Sequence, residues 1–356
     1  MASVDYKREL TDLIDLVVSE KGSDLHLSAG SHPILRITGS LVPLLKKPIL
    51  TSKDVDGFAK VLMSEVKYGE YIKNFEVDFS YAHADGVRFR GNGFFQSGGQ
   101  AIALRLIPNK IRTLEELSLP PILESFVQRP QGFFLCVGPV GQGKSTTLAA
   151  MVEMINQNRA EHIVTIEDPI EYVYEPKKAL IVQREVGVDT NSFEAALNSA
   201  FREDVDVILV GEMRNAVTIA TAVTAAETGH LVLSTLHTNN AAQTIDRIID
   251  SFPAGQQDQI RVQLAGSLAG IFSQRLIPSI AGGLVPAYEL LINNNAVSNL
   301  IRERRTHEIQ TLIETGLEHG MIDMNRSLSQ MVKDGVITVE NAFAYSTNPK
   351  GLERLM

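Results

Sequence analysis

The sequence predicts an α/β protein in two parts: an N-terminal α+β domain, then a parallel sheet covered by helices and ending in a helical C-terminal region. Three observations predict it. Over the first hundred or so residues, apolar positions recur at helical spacing and then alternate with period two. Four short runs (133–137, 163–166, 206–210 and 231–236) are apolar on both faces and separated by helical segments, as a buried parallel sheet requires. The first of these runs leads directly into a glycine-rich loop that opens a helix.

In chain order, Leu10, Leu13, Ile14 and Val17 share a helix face, and Gly22 ends that helix. A strand follows over 24–27, and a second helix is expected over 53–73. Val77, Phe79 and Tyr81 then alternate up to a turn at Asp85-Gly86, and 87–90 continues beyond it as the second arm of a β-hairpin. Gly91, Gly93, Gly98 and Gly99 punctuate the region before another strand over 101–106. Prolines at 108, 120 and 121 restrict the chain to extended and turn conformations. The expected division is a first domain over 1–108, a linker over 109–121 and a second domain over 122–356. From 256 to 345 the apolar period is helical, interrupted at Gly282-Gly283 and Gly335.

Composition narrows the class. With 356 residues, 44% hydrophobic and 21% charged, the chain is no disordered tract, collagen-like repeat or coiled-coil rod. Its one cysteine, Cys136, excludes a disulfide scaffold and a tetracysteine zinc site within one chain, and makes a reducing, cytoplasmic setting the expectation. A net charge of −9, with no dense basic strip, argues against nucleic acid as a partner. The charged N-terminus is unlike a signal peptide, and no apolar run approaches the ~18 residues of a bilayer span. Membrane association is therefore expected only through a partner.

Gly138-Pro139-Val140-Gly141-Gln142-Gly143-Lys144-Ser145 matches the phosphate-loop pattern G-x-x-x-x-G-K-[ST] in full. Glycines let backbone N–H groups turn inward around phosphate oxygens, Lys144 brings a mobile positive charge, and the Ser145 hydroxyl suits Mg²⁺. The preceding strand and the following helix, with Leu148, Val152 and Ile155 on one face, supply the context the motif needs. Glu212 ends the 206–210 run and reads as a metal-shell carboxylate or as a solvated loop acid. Glu167, in Glu167-Asp168-Pro169-Ile170-Glu171, reads as a base for the lytic water or as part of an Asp-Pro turn. His230 and His237 flank the last run, and each reads as a phosphate partner or as a packed core histidine.

In this order, GPVGQGKSTT, TIEDPIEYV, VILVGEMR, TAAETGHLVLSTLHT and TIDRIIDSFP resemble the secretion ATPase superfamily, and in it the type IV pilus retraction (PilT-like) group. GSDLHLSAG, RFRGNGFFQ, RLIPNKIRTLEELSLP and AVSNLIRERRTHEIQTLIETG extend the likeness over nearly the whole chain. The resemblance implies a PAS-like N-terminal domain, a RecA-like ATPase domain and a homohexameric ring, with ATP and Mg²⁺ held between the domains and near the neighbouring subunit. It implies Gly138 to Thr146 (including Thr146 itself) as the nucleotide loop, Ser145 and Glu212 toward Mg²⁺, Glu167 as general base, and His230 as γ-phosphate sensor. His237 would contact nucleotide. Arg90 and Arg105 would answer the γ-phosphate, with Arg88 and Arg112 as competitors and salt-bridging on an exposed sheet face as the other reading.

The implied function is an ATP-driven motor that turns an inner-membrane platform protein, in some systems beside a second pilus ATPase, and draws the pilus in. Its location would be cytoplasmic, at the inner membrane through the pilus machine. The assembly and type II secretion ATPases of the superfamily usually carry an extra N-terminal domain and a tetracysteine insert, which a one-cysteine chain cannot form. An accessory PilU-like subunit, a nucleotide-gated structural subunit of weak turnover and a RecA-like DNA motor are the competing readings. Four positions depart from the group: Val140 and Gln142 inside the loop, Asn215 where an acid usually stands, and Ser298 in place of the first arginine of a motif tied to retraction.

Overall fold

Residues 5–83, 86–107 and 110–356 are described in the computed structural model. The expected turn at Asp85 and the proposed boundary at 108–109 lie outside them. Contacts divide the chain into two units, Met1–Lys110 with Glu171–Val173, and Ile111–Ile170 with Tyr174–Met356.

The first unit runs α1 (Tyr6–Ser19), β1 (Asp24–Ser28), β2 (Ile34–Ile37), β3 (Ser40–Pro43), α2 (Ser52–Leu62), α3 (Glu65–Asn74), β4 (Glu76–Ala82), β5 (Arg88–Gln96) and β6 (Gly99–Ile107). Its six strands form one antiparallel sheet in the order β3-β2-β1-β6-β5-β4. Leu10, Leu13, Ile14 and Val17 are the buried face of α1, as their spacing requires. They pack with Leu25, Leu27, Phe89 and Leu104 from one face of the sheet. The single helix expected over 53–73 is two. Ser64 interrupts it in an extended conformation and caps α3 by accepting from the Lys67 amide, so a polar side chain breaks a period that apolar spacing alone would continue.

The second unit runs α4 (Leu123–Val127), β7 (Gly132–Val137), α5 (Lys144–Asn158), β8 (His162–Glu167), β9 (Leu180–Glu185), α6 (Phe193–Ala200), β10 (Val207–Val210), α7 (Ala216–Glu227), β11 (Leu231–Leu236), α8 (Ala241–Asp250) and α9 (Ala254–Ser267). Then come β12 (Leu268–Pro278), β13 (Leu284–Ile292), α10 (Asn295–Arg302), α11 (Ile309–Thr315), α12 (Met324–Lys333), α13 (Val339–Tyr345) and α14 (Pro349–Glu353). The sheet order is β13-β12-β7-β11-β10-β8-β9, parallel throughout except for the antiparallel edge strand β13. Every residue of β7, β10 and β11 is buried, the reason those runs are apolar on both faces. Phe133, Leu135 and Val137 join the core built with α6 to α10. The alternate residue Phe134 meets Phe126 of α4, ring centres 4.7 Å apart.

The helical reading of 256–345 fails over its middle. Gly282-Gly283, read as a break between helices, is the turn of the β12–β13 hairpin, both glycines having positive φ. Because β12 is buried on both faces through Ser273, no period-two alternation marks it.

Candidate nucleotide site

Strand register collects the chemistry at one edge. Val137 pairs with Leu236, Val210 with both Ser234 and Ile166, and all four strands end there. Carboxyl ends of parallel strands are where open α/β sheets hold ligands. The phosphate loop leaves β7 at this edge. Gly138 has φ 149° and an added Cβ would stand 2.5 Å from the Gln274 carbonyl oxygen; Gly143, with φ 77°, would meet the Gln274 side chain at 2.9 Å. The loop path thus excludes side chains at both positions.

Lys144 is buried at the start of α5 and folds back on its own loop. Its ammonium donates to the carbonyl oxygens of Gly138 and Pro139, both at 2.8 Å, and lies 3.2 Å from His237 Nδ1. The other ring nitrogen of His237 is 3.8 Å from the Glu212 carboxylate, so the imidazole stands between the loop lysine and the acid that follows β10. Glu212 also pairs with Arg214, which reaches Asp168 at 3.3 Å. Glu167 is buried at the end of β8, where Oε1 accepts from Thr165 at 2.6 Å and from Gln183 at 3.3 Å. Beside these groups lies a cavity of about 650 Å³ lined by Glu212, Arg214, His237, Asn239, Asp246 and Arg247.

The loop therefore offers backbone N–H groups and a lysine bonded to two of the loop's own carbonyl oxygens, which a phosphate can replace. Ser145 and Glu212 supply the hard oxygens that Mg²⁺ takes beside phosphate and water, so the donor set fits that ion. Residues 7–344 match the family model described as type II/IV secretion system protein. The chain belongs to this family. It is similar to the type IV pilus retraction ATPase PilT of Pseudomonas aeruginosa, 45% identical over 94% of this chain and 97% of the relative. It also resembles the type IV pilus ATPase PilU of the same organism, at 39% identity over 98% of this chain and 91% of that one. A crystal structure of the pilus retraction motor PilT with bound ADP superposes with a TM-score of 0.90, at 46% identity, covering 96% of this chain and 98% of that chain.

One expected site residue, His230, lies away from these groups within the chain. His230 precedes β11, whose first residue pairs with Gly132, the first of β7; it sits at the opposite edge, about 20 Å from the loop at ~3.3 Å per residue. Its Nδ1 is 2.9 Å from the Ala225 carbonyl oxygen and its ring packs edge-on against Phe201. Within the chain, His230 is therefore apart from the phosphate loop, at the other end of β11. His237, just beyond the end of the same strand, is the histidine beside Lys144 and Glu212. Motif spacing named both histidines, but only strand polarity separates them.

In the first unit, Arg90 and Arg105 are directly opposite each other on β5 and β6. They sit in a cross-strand row with Asp24 and Arg36 on the face away from the core. Arg105 Nε is 2.9 Å from Asp24, Arg36 Nε is 3.7 Å from it, and Arg90 is 3.7 Å from Glu171. Burial alone would raise the Asp24 carboxyl, but hydrogen bonds from Ser23 and Arg105 and the guanidinium charge hold it below its ordinary value. Arg88 lies on the same face, and Arg112 falls in the second unit.

The departures from the group acquire local roles. Asn215 caps α7 by accepting from the Thr218 amide at 2.8 Å, which an uncharged side chain does as well as an acid. Ser298 is buried and donates to the Ala265 carbonyl oxygen at 2.7 Å. Gln142 is tied to β12: its side chain accepts from the Leu276 amide at 2.7 Å. Val140 is exposed. Burial pushes the Cys136 thiol up to about 12, against the pull of the Lys144 charge, so it is an inert part of the core. Sequence reasoning missed Gln274, Arg275 and Glu289, which surround the site from β12 and β13. No helix among the described residues is long and apolar enough to cross a membrane.

Proposed function

We propose that this chain is the ATP-hydrolysing motor subunit of type IV pilus retraction. The observation that carries the reading is the grouping of Lys144, His237 and Glu212 around a full phosphate loop, in a family member 45% identical to PilT. On binding ATP, the backbone of 138–146 receives the phosphates, and Lys144 exchanges the Gly138 and Pro139 carbonyls for phosphate oxygens. Ser145 and Glu212 would hold Mg²⁺, which would neutralise charge on the phosphates when bound. Glu212 is then shared with Arg214, which has Asp168 as its second partner. Glu167, oriented by Thr165 and Gln183, accepts a proton from the attacking water. His237 hydrogen-bonds the γ-phosphate side of the site. Arg90 and Arg105 supply guanidinium charge, each trading a carboxylate for phosphate.

In this reading six copies form a ring that acts on an inner-membrane platform protein. The 39% identity to PilU favours one second reading, an accessory subunit that works beside another motor. Phosphate release by the purified protein tests the first: Lys144→Ala and Glu212→Ala are each expected to reduce turnover by more than 100-fold, and full activity in both removes the assignment. Deleting the gene is expected to leave pili that extend and do not withdraw, and normal withdrawal favours the accessory role.

A further inference from the structure

Strand β12 grips two loops at once. Beyond Ser273, which pairs with Val137, β7 has ended, and the next residues of β12 bond to loops instead. Toward the phosphate loop, Gln274 Nε2 donates to the Gln142 carbonyl oxygen at 2.8 Å, and its Oε1 accepts from Thr147 at 2.7 Å. The Leu276 amide adds its 2.7 Å bond to the Gln142 side chain. Toward the loop after β11, Ser273 donates to the Asn239 carbonyl oxygen at 2.8 Å, and Arg275 Nη2 donates to Asn239 Oδ1 at 2.9 Å. Alternation along a strand sends 273 and 275 to one face and 274 to the other. On the first of those faces Glu289, opposite Ser273 on β13, accepts from the Ala241 amide at 2.9 Å and so fixes where α8 begins.

Arg275 does one thing more. Its Nη1 is buried without a hydrogen-bond partner, 3.7 Å from where a Cβ on Gly138 would stand. One guanidinium thus stands beside the base of the phosphate loop and bonds the loop that carries His237.

We infer that Gln274 and Arg275 are positioning residues that lock the phosphate loop and the 237–241 loop into one geometry, Gln274 for nucleotide binding and Arg275 for the hydrolytic step. The inference rests on the ATPase reading above. Lys144 and His237 come from different loops, and the 3.2 Å between them persists only while both loops keep a common support. With the bond from Arg275 to the Asn239 side chain lost, the His237 loop drifts relative to bound phosphate, while the loop that binds nucleotide keeps its own bonds to Gln274.

The test is steady-state ATP hydrolysis and ADP affinity of the full-length protein. Arg275→Gln is expected to lower kcat at least tenfold with the Kd for ADP within twofold, and Arg275→Lys to recover part of the loss. Asn239→Ala, a change at an exposed position, is expected to reproduce the Arg275→Gln effect should that variant fail to fold. Gln274→Leu and Gln142→Ala are expected to do the reverse, weakening ADP binding at least tenfold. Normal kcat in Asn239→Ala and Arg275→Gln overturns the inference, as does an equal loss of kcat and ADP affinity in both. An unmodified protein that binds ADP and releases no phosphate overturns the ATPase reading and this inference with it.

Discussion

The seven-stranded sheet presents its ends, whereas the six-stranded sheet presents a face. In the first, β7, β10 and β11 are buried along their whole length, so reactive side chains emerge only where strands stop: Lys144, Glu167, Glu212 and His237. Their positions follow from backbone paths that approach each other closely. In the second, one side of the sheet buries Leu25, Leu27, Phe89 and Leu104, and the other carries Arg36, Asp24, Arg105 and Arg90 across neighbouring strands. There, charge is set out in a row whose partners can be exchanged. A site built from strand ends should tolerate almost no added atoms, and a charged face should tolerate substitution at modest cost.

The largest effect should come from Gly138→Ala. The new methyl would stand 2.5 Å from the Gln274 carbonyl oxygen at a backbone φ of 149°, so ADP affinity measured by calorimetry should fall more than 100-fold. Near-normal affinity would break the contrast. On the charged face, Asp24→Asn should lower unfolding free energy at pH 7 by about 1–3 kcal/mol and leave ADP affinity within about threefold. Because the Asp24 carboxyl is held low, its contribution is present above the unfolded value and lost as pH falls through the folded one. The two proteins should therefore converge in stability as pH falls below the folded value of Asp24.

Glu289 sharpens the comparison from inside the seven-stranded sheet. Burial raises its carboxyl to about 7, with Asp323 adding to the rise; the Ala241 amide, Gln310 and Arg275 oppose it. A raised carboxyl gives stability that is complete below the unfolded value near 4.5 and lost as pH rises through about 7. Glu289→Gln should flatten that decline, and melting temperatures at pH 5 and pH 8 should differ by several degrees less than in the unmodified protein. The smallest effect should be that of His230→Ala, which should leave ADP affinity within about twofold, since that side chain is bound to Ala225 at the far edge. A tenfold loss would place His230 in the nucleotide site after all.

The phosphate loop was legible because its function depends on consecutive residues: three glycines, a lysine and a hydroxyl are read whatever else the chain does. Glu212 and Glu167 were legible for a related reason, each being the first acid after a buried run. Asn215 and Ser298 look like losses of charge in the sequence; their neighbours show a helix cap and a buried hydroxyl bonded to the Ala265 carbonyl. The β12–β13 hairpin was missed because a strand covered on both sides carries no alternation.

By itself, then, the sequence determined the kind of chemistry and the strands that deliver it, because contiguous spacing sets loop shape and helix start. Tertiary structure alone decided which histidine of one strand meets the lysine, and that Gln274 and Arg275 would brace two loops from a strand more than a hundred residues downstream of one of them. Strand polarity and pairing across such distances are set by packing of the whole sheet, and no local pattern encodes them.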